Sequence, residues 1–363
     1  MGAHHLAERD GPMMLDDLAA LARIDRHDTR TVLASFPTQC RTAVALTLSP
    51  VEPLPRPRAV IVAGMGGSAA GGDVLAACAA ERMEVPVLVH RGYGLPALAG
   101  AADLVIVVSY SGDTVETLSA ARTALERGCR LVAVTAGGRL AALAQRHGLP
   151  AVMLPAGLMP RMALGYLFFP MLAVLRAADL TVPTDAEVEE ALGELQTLTG
   201  ELAPDSPTAA NEAKRLALAI GDRVPVVYGG PATGAVAYRW KTDLEENAKT
   251  FAVAGAVPEM NHNEIEAWGT RPATAMHVVL LRDSLEAPEI RRRFAVLREL
   301  IAGQVAVSEA WTRGKGGLAR LFSLIALGQW TSFYLAALRG VDPWAVPLLE
   351  GFKARLNDSP PAT

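Results

Sequence analysis

Serine and threonine hydroxyls crowd one short segment of the chain, Ser109-Tyr110-Ser111-Gly112-Asp113-Thr114, with Glu116 and Thr117 just beyond. Hydroxyls and backbone N–H groups together can satisfy the three terminal oxygens of a phosphate monoester, and a helix starting at that point adds its dipole. An acidic chain can hold a dianion in this way without a lysine. The competing reading is a plain helix cap, with Ser111 or Asp113 capping and Glu116 favoured in the first turn. A cap needs one such residue, and four hydroxyl-bearing side chains surround this glycine. A second run, Gly64-Met65-Gly66-Gly67-Ser68, follows an apolar strand-like stretch and precedes a helix-like one, Ala69 to Ala80. Glycines there allow close backbone approach to a ligand, so Gly67 and Ser68 suit an oxyanion. The spacing also fits a dinucleotide fingerprint loosely. That chemistry needs an acidic residue closing the next strand, where this chain has Val89-His90-Arg91.

Groups able to move protons or steady an anion lie farther along. Glu245 and Glu246 are neighbours in Leu244-Glu245-Glu246-Asn247-Ala248-Lys249. On a helix they point about 100° apart, so only one can readily face a cleft. Without further context a solvated helical glutamate is the default for either. His262 sits in the polar stretch Pro258-Glu259-Met260-Asn261-His262-Asn263-Glu264, where flanking amides could orient the imidazole and Glu264 could raise its basicity. A lone histidine is more often structural. Arg161 follows Pro160 at the start of an apolar helix, where a cation opposes the dipole unless it answers an anion. A snorkelling surface arginine is the alternative there. Lys353 lies near the C-terminus, where a charged residue is normally exposed.

These side chains must be positioned by a chain of 363 residues, which at ~100–200 residues per domain points to two domains. We expect residues 1–195, with leading helices, to form the first and 196–363 the second. Hydrophobic residues make up 51% and charged residues 20%, with a mean hydropathy of +0.24, which excludes a disordered chain. The net charge of −4 leaves no electrostatic footprint for nucleic acid. Cys40, Cys78 and Cys129 are odd in number and lack metal-site spacing, so they read as free thiols in a reducing compartment. No signal sequence is recognised in the first residues, and the uncharged run Leu321 to Leu338 reads as a buried helix, so the expectation is a cytoplasmic protein without a membrane span. Apolar runs at Ala59–Ala63, Val87–Val89, Leu104–Val108 and Leu131–Val134 alternate with Ala/Leu-rich helical stretches. Val224–Tyr228, His277–Leu281 and Gln304–Val307 repeat that grammar after a Pro-rich boundary region. The fold class expected is α/β, with each domain a parallel sheet flanked by helices.

Gly66-Gly67-Ser68 followed by Ser109-Tyr110-Ser111-Gly112-Asp113-Thr114 resembles the sugar isomerase (SIS) domain, which binds phosphorylated sugars. Pro160-Arg161-Met162-Ala163-Leu164-Gly165-Tyr166, Glu246-Asn247-Ala248-Lys249, Asn261-His262-Asn263-Glu264 and Asp342-Pro343 with Lys353 narrow the resemblance to the bifunctional phosphoglucose/phosphomannose isomerases, chains of two SIS domains. The resemblance runs from about residue 55 to 357.

It implies reversible aldose–ketose isomerisation of hexose 6-phosphates in carbohydrate metabolism, through a cis-enediolate and with no cofactor or metal. By that resemblance Gly67, Ser68, Ser109, Ser111 and Thr114 hold the phosphate. Glu246 moves the proton, His262 opens the ring, Arg161 steadies the enediolate and Lys353 assists near the ring oxygen. The family's histidine typically crosses a subunit interface, so a homodimer with a shared site is implied. A non-catalytic sugar-phosphate sensor and an isomerase of another sugar phosphate, such as an amino sugar, are the rivals. Three positions depart from the family pattern. Asp113 replaces the commoner asparagine and sets a carboxylate near the dianion, Ala136 stands where a serine is common, and Gly351 lies close before Lys353.

Overall fold

The computed structural model describes residues 13–50, 53–80, 82–269 and 273–358. Helices α1 (Leu18–Ile24), α2 (Thr29–Ala34) and α3 (Phe36–Val44) lead into the first sheet. There β1 (Val60–Ala63), α4 (Gly66–Ala79), β2 (Val87–His90), β3 (Leu104–Ser109), α5 (Val115–Glu126), β4 (Arg130–Thr135), α6 (Gly138–His147) and β5 (Ala151–Met153) follow one another. All neighbours pair in parallel, in the order β2-β1-β3-β4-β5. Helices α7 (Leu164–Ala177), α8 (Asp185–Leu202) and α9 (Glu212–Ile220) cross to the second sheet. It is built from β6 (Val224–Gly229), α10 (Gly234–Ala248), β7 (Val253–Ala256), α11 (Ile265–Trp268), β8 (Met276–Arg282), α12 (Pro288–Ile301) and β9 (Ala306–Trp311). Its order is β7-β6-β8-β9, again parallel. Helices α13 (Gly317–Leu338) and α14 (Pro347–Asp358) close the chain.

The expected α/β class, two parallel sheets flanked by helices, is what the chain forms. Side chains alternate across each strand, so every sheet buries two faces. Val60 and Val62 of β1, Ile106 and Val108 of β3, and Val279 and Leu281 of β8 enter one core shared by both sheets. Ile61, Val105 and Val107 pack outward under α5 and α6, and Val278 and Leu280 do so beneath α12. Strands β5 and β7 are absent from the sequence-based expectation. Both are short sheet edges, and Val-Ala-Gly-Ala in β7 has little β-propensity. The boundary expected at residues 195 and 196 lies inside α8, which packs against α13 and α3.

The long uncharged run becomes α13. By length and composition it could cross a membrane, yet 94% of that stretch is buried inside the chain. Helix α13 crosses α10 closely at Gly328, where a Cβ would lie 2.3 Å from Trp240 Nε1. Trp240 Nε1 donates to Leu324 O at 2.8 Å, which locks the crossing. Because Glu245 and Glu246 lie in the last turn of α10, this crossing sets where those carboxylates stand.

Candidate active site

The first sheet reverses strand order between β1 and β3, where an open α/β sheet offers a crevice at its carboxyl ends. The glycine turn leaves β1 there and the serine loop leaves β3. Ser109 is buried, donates from Oγ to Thr114 Oγ1 at 3.1 Å and accepts from Gly112 N at 3.1 Å. Ser68 Oγ, also buried, accepts from Tyr110 N at 3.2 Å and so joins the two turns. Ser111 Oγ accepts from Asp113 N at 3.3 Å. Among the described residues, the hydroxyl protons of Ser68, Ser111 and Thr114 have no acceptor. Thr114 occupies the N-cap of α5 without a side-chain capping bond. The cap alternative therefore does not describe this loop, whose helix N–H groups and three hydroxyl donors stand ready for an anion.

Asp113 does not face that crevice. Its Oδ1 accepts from Arg139 N at 3.1 Å and Arg139 Nε at 3.0 Å, so it caps α6 and pairs with its arginine. The extra carboxylate is thereby engaged by Arg139 and not by the hydroxyl loop. Thr135 Oγ1 donates to Gly137 O and accepts from Gly137 N, shaping the loop in which Ala136 stands.

Gly67 lies against the turn that carries Arg161. A Cβ there would meet Pro160 O at 2.7 Å and Arg161 N at 2.8 Å. Glycine lets the N-terminus of α4 touch this turn, so the hydroxyl crevice and Arg161 are contiguous. The Arg161 guanidinium is buried, and four of its five N–H donors are engaged. Nε donates to Asn247 Oδ1 at 2.8 Å, and one terminal nitrogen reaches Pro343 O at 2.9 Å and Trp344 O at 2.6 Å. The other lies 3.4 Å from Glu246 Oε2. Burial pulls the guanidinium below its ordinary range, while the Glu246 and Asp243 carboxylates draw it back up. The snorkelling alternative for Arg161 does not hold.

The two glutamates part company. Glu245 pairs with Lys241 one turn away at 2.7 Å on the helix surface. Glu246 keeps a carboxylate that is 29% exposed, reachable from solvent and held beside Arg161. A partly exposed carboxylate next to a fixed cation can exchange a proton with carbon while the cation answers an oxyanion.

His262 and Lys353 are not drawn into this cluster within one chain. His262 ends a short 3-10 turn, Glu259–His262, and is exposed. Among the described residues no hydrogen bond or ion pair joins it to Arg161, Glu246 or the serine loop. Two expectations about its surroundings are corrected. Glu264 accepts from Tyr228 OH at 2.8 Å, so it does not serve the imidazole. Of the flanking amides, Asn263 Nδ2 donates to Glu259 Oε1 and Asn261 Nδ2 to Met260 Sδ, while Asn261 Oδ1 is buried without a partner. Lys353 is exposed on α14, beside the exposed apolar residues Leu348, Phe352 and Leu356.

Sequence reasoning missed the polar stripe that supports Arg161. Arg239, Asp243 and Asn247 recur every four residues along α10 and are all buried. Arg239 donates to Arg161 O and pairs with Asp243 at 2.8 Å, and burial pushes Asp243 up to about 6. Asn247 Nδ2 donates to Ser332 Oγ at 2.9 Å, which leaves its oxygen to Arg161. Polar residues at i, i+4 and i+8 beside the apolar Trp240 and Leu244 were the available signal. Among the described residues no group of three or more His, Cys, Asp and Glu side chains is arranged to hold a metal ion.

Residues 54–155 match the SIS domain family, and residues 209–356 match the family described as the bacterial phospho-glucose isomerase C-terminal SIS domain. The chain is 38% identical to the bifunctional phosphoglucose/phosphomannose isomerase of Caldicellulosiruptor bescii, over 82% of this chain and 89% of that one. It is 34% identical to the protein of the same name from Thermoplasma acidophilum, over 82% and 89%. A D-glucosamine-6-phosphate 4-epimerase of Sulfolobus acidocaldarius is 30% identical over 57% of this chain and 63% of its own. Among solved structures, a hypothetical protein from Thermus thermophilus superposes with a TM-score of 0.72 at 19% identity, over 98% of this chain and 97% of that one, which shows the shared fold. With an anion-ready hydroxyl crevice set against an arginine–glutamate pair, and relatives matched over most of its length, the chain belongs to the bifunctional phosphoglucose/phosphomannose isomerase family.

Proposed function

We propose that this protein interconverts hexose aldose and ketose 6-phosphates, glucose 6-phosphate or mannose 6-phosphate with fructose 6-phosphate. The phosphate sits on the hydroxyls of Ser68, Ser111 and Thr114, with the backbone at Gly67 lining the turn; the Ser109 hydroxyl, expected to join them, is spent on Thr114 and holds that side chain in place. Glu246 takes the proton from C2 of the open-chain aldose as the C–H electrons form the C1–C2 double bond and the carbonyl electrons move to O1. Arg161 steadies the resulting cis-enediolate. The same carboxyl group returns the proton to C1 while the hydroxyl proton passes from O2 to O1, leaving the carbonyl at C2. No redox partner enters this balance.

Ring opening falls to His262 of the partner subunit in a homodimer, and Lys353 assists near the ring oxygen. The exposure of His262, and its lack of bonds to its own chain's cluster among the described residues, support donation to a second copy. One observation carries the reading. The hydroxyl crevice touches the Arg161 turn through Gly67, and Arg161 reaches Glu246 at 3.4 Å, so phosphate-binding and proton-moving groups share one locale.

The test is purified protein supplied with fructose 6-phosphate and followed for glucose 6-phosphate and mannose 6-phosphate, with glucosamine 6-phosphate offered in parallel. Formation of either aldose phosphate supports the reading. Binding of fructose 6-phosphate without turnover would favour a sensor, and turnover confined to glucosamine 6-phosphate would favour an amino-sugar enzyme.

A further inference from the structure

Lys249 ends α10 three residues beyond Glu246, in a left-handed conformation with φ of 52°. A non-glycine residue keeps such a backbone where its surroundings hold it. Its ammonium donates to Glu246 O at 2.8 Å, Asn247 O at 3.3 Å and Asp342 O at 2.7 Å. Three N–H donors thus meet three carbonyl oxygens. Two of these are carbonyls the helix leaves unpaired at its C-terminus. The third opens the Asp342-Pro343-Trp344 loop, whose next two carbonyls accept from Arg161. That loop is also pinned by His27, which bonds to Asp342 Oδ2 at 2.8 Å and stacks on Trp344.

We propose that Lys249 is a positioning residue for the isomerisation: its ammonium bridges the end of α10 to the Asp342–Trp344 loop and so fixes the Glu246 carboxylate against the Arg161 guanidinium. The role rests on the proton-transfer reading of Glu246 given above. Lys249 is exposed, yet partial desolvation of its ammonium among the three carbonyls lowers it to about 8, helped by the nearby Arg161 charge and opposed by Asp342 and Glu246. Losing its proton sets a lone pair against one of the three carbonyls, so the bridge opens as pH rises through that value.

The experiment measures kcat and KM for fructose 6-phosphate in the full-length wild type, Lys249→Met and Lys249→Arg, from neutral to about pH 10. Misplacing a catalytic pair by about 1 Å can cost ~10²-fold, so Lys249→Met should lose ~10–100-fold in kcat with KM within about threefold. The wild type should show an alkaline limb near pH 8. In Lys249→Arg, whose guanidinium stays charged, that limb should vanish while much of the kcat survives. A Lys249→Met enzyme with wild-type kcat would overturn the proposal, as would a limb that persists in Lys249→Arg. The arginine variant keeps the question decidable if the methionine variant fails to fold. Absence of turnover in the wild type would instead overturn the isomerase reading, and this role with it.

Discussion

Glu245 and Glu246 are identical in chemistry and adjacent in sequence, and only their partners separate them. Glu245 spends its carboxylate on Lys241, a half-buried i,i+4 helix pair of the kind that contributes little. Glu246 stands beside a buried guanidinium whose other donors are committed to Asn247, Pro343 and Trp344. Because those bonds hold Arg161 still, its charge is already oriented when an enediolate forms. Replacing Glu246 by Gln should therefore cut kcat by ~10²–10⁴-fold while fructose 6-phosphate still binds in calorimetry. Glu245→Gln should leave kcat within about twofold in the same assay. Equal losses in the two variants would contradict this assignment.

At the scale of elements, the phosphate crevice depends on two loops fitted into each other. Gly112 has φ of 75°, and a Cβ on it would lie 1.8 Å from Gly137 O. Leu140 N donates to Gly112 O at 2.9 Å, so the serine loop and the start of α6 share a backbone contact. Gly112→Ala has no route to relieve that clash without moving one loop. Overpacking of this kind costs about 1–3 kcal/mol, and the left-handed backbone adds to it. We expect a lower denaturant midpoint together with weaker binding of fructose 6-phosphate. Unchanged binding would show that the loop geometry is not what holds the phosphate.

Across the whole molecule the two sheets offer two strand-order reversals, and they differ in what they present. At the second, Thr233 Oγ1 donates to Leu281 O at 2.8 Å and accepts from Gly230 N at 2.8 Å, so its hydroxyl is consumed internally. At the first, the hydroxyls of Ser68, Ser111 and Thr114 find no proton acceptor among the described residues. The first reversal is therefore the one with hydroxyl donors to offer an anion, as the proposed phosphate site requires, and the second sheet contributes Glu246 through α10. If His262 serves a partner's site, inactive Glu246→Gln and His262→Ala chains should complement when co-assembled. Random pairing would restore about a quarter of wild-type activity, since half the dimers are mixed and one of their two sites is intact. No recovery in a verified mixed dimer would place the histidine's action within its own subunit or remove it from the mechanism.

Local pattern was enough to reveal much of this. Apolar β-branched runs ending in glycine or serine marked the central strands, because a strand buried on both faces has few polar positions to spend. The clustered hydroxyls of Ser109, Ser111 and Thr114 and the Glu245-Glu246 pair were visible for the same reason: their chemistry depends on residue type and spacing within a few positions. The edge strands β5 and β7 escaped notice, being too short and small-sided to leave a pattern. Long-range packing alone decided which glutamate faces Arg161, that Asp113 turns toward Arg139, and that Arg239, Asp243 and Asn247 form a stripe supporting the site. Periodicity tells which face of α10 is polar, but the partner of that face, Arg161, lies 86 residues from Asn247 along the chain and meets it only once both sheets share their core.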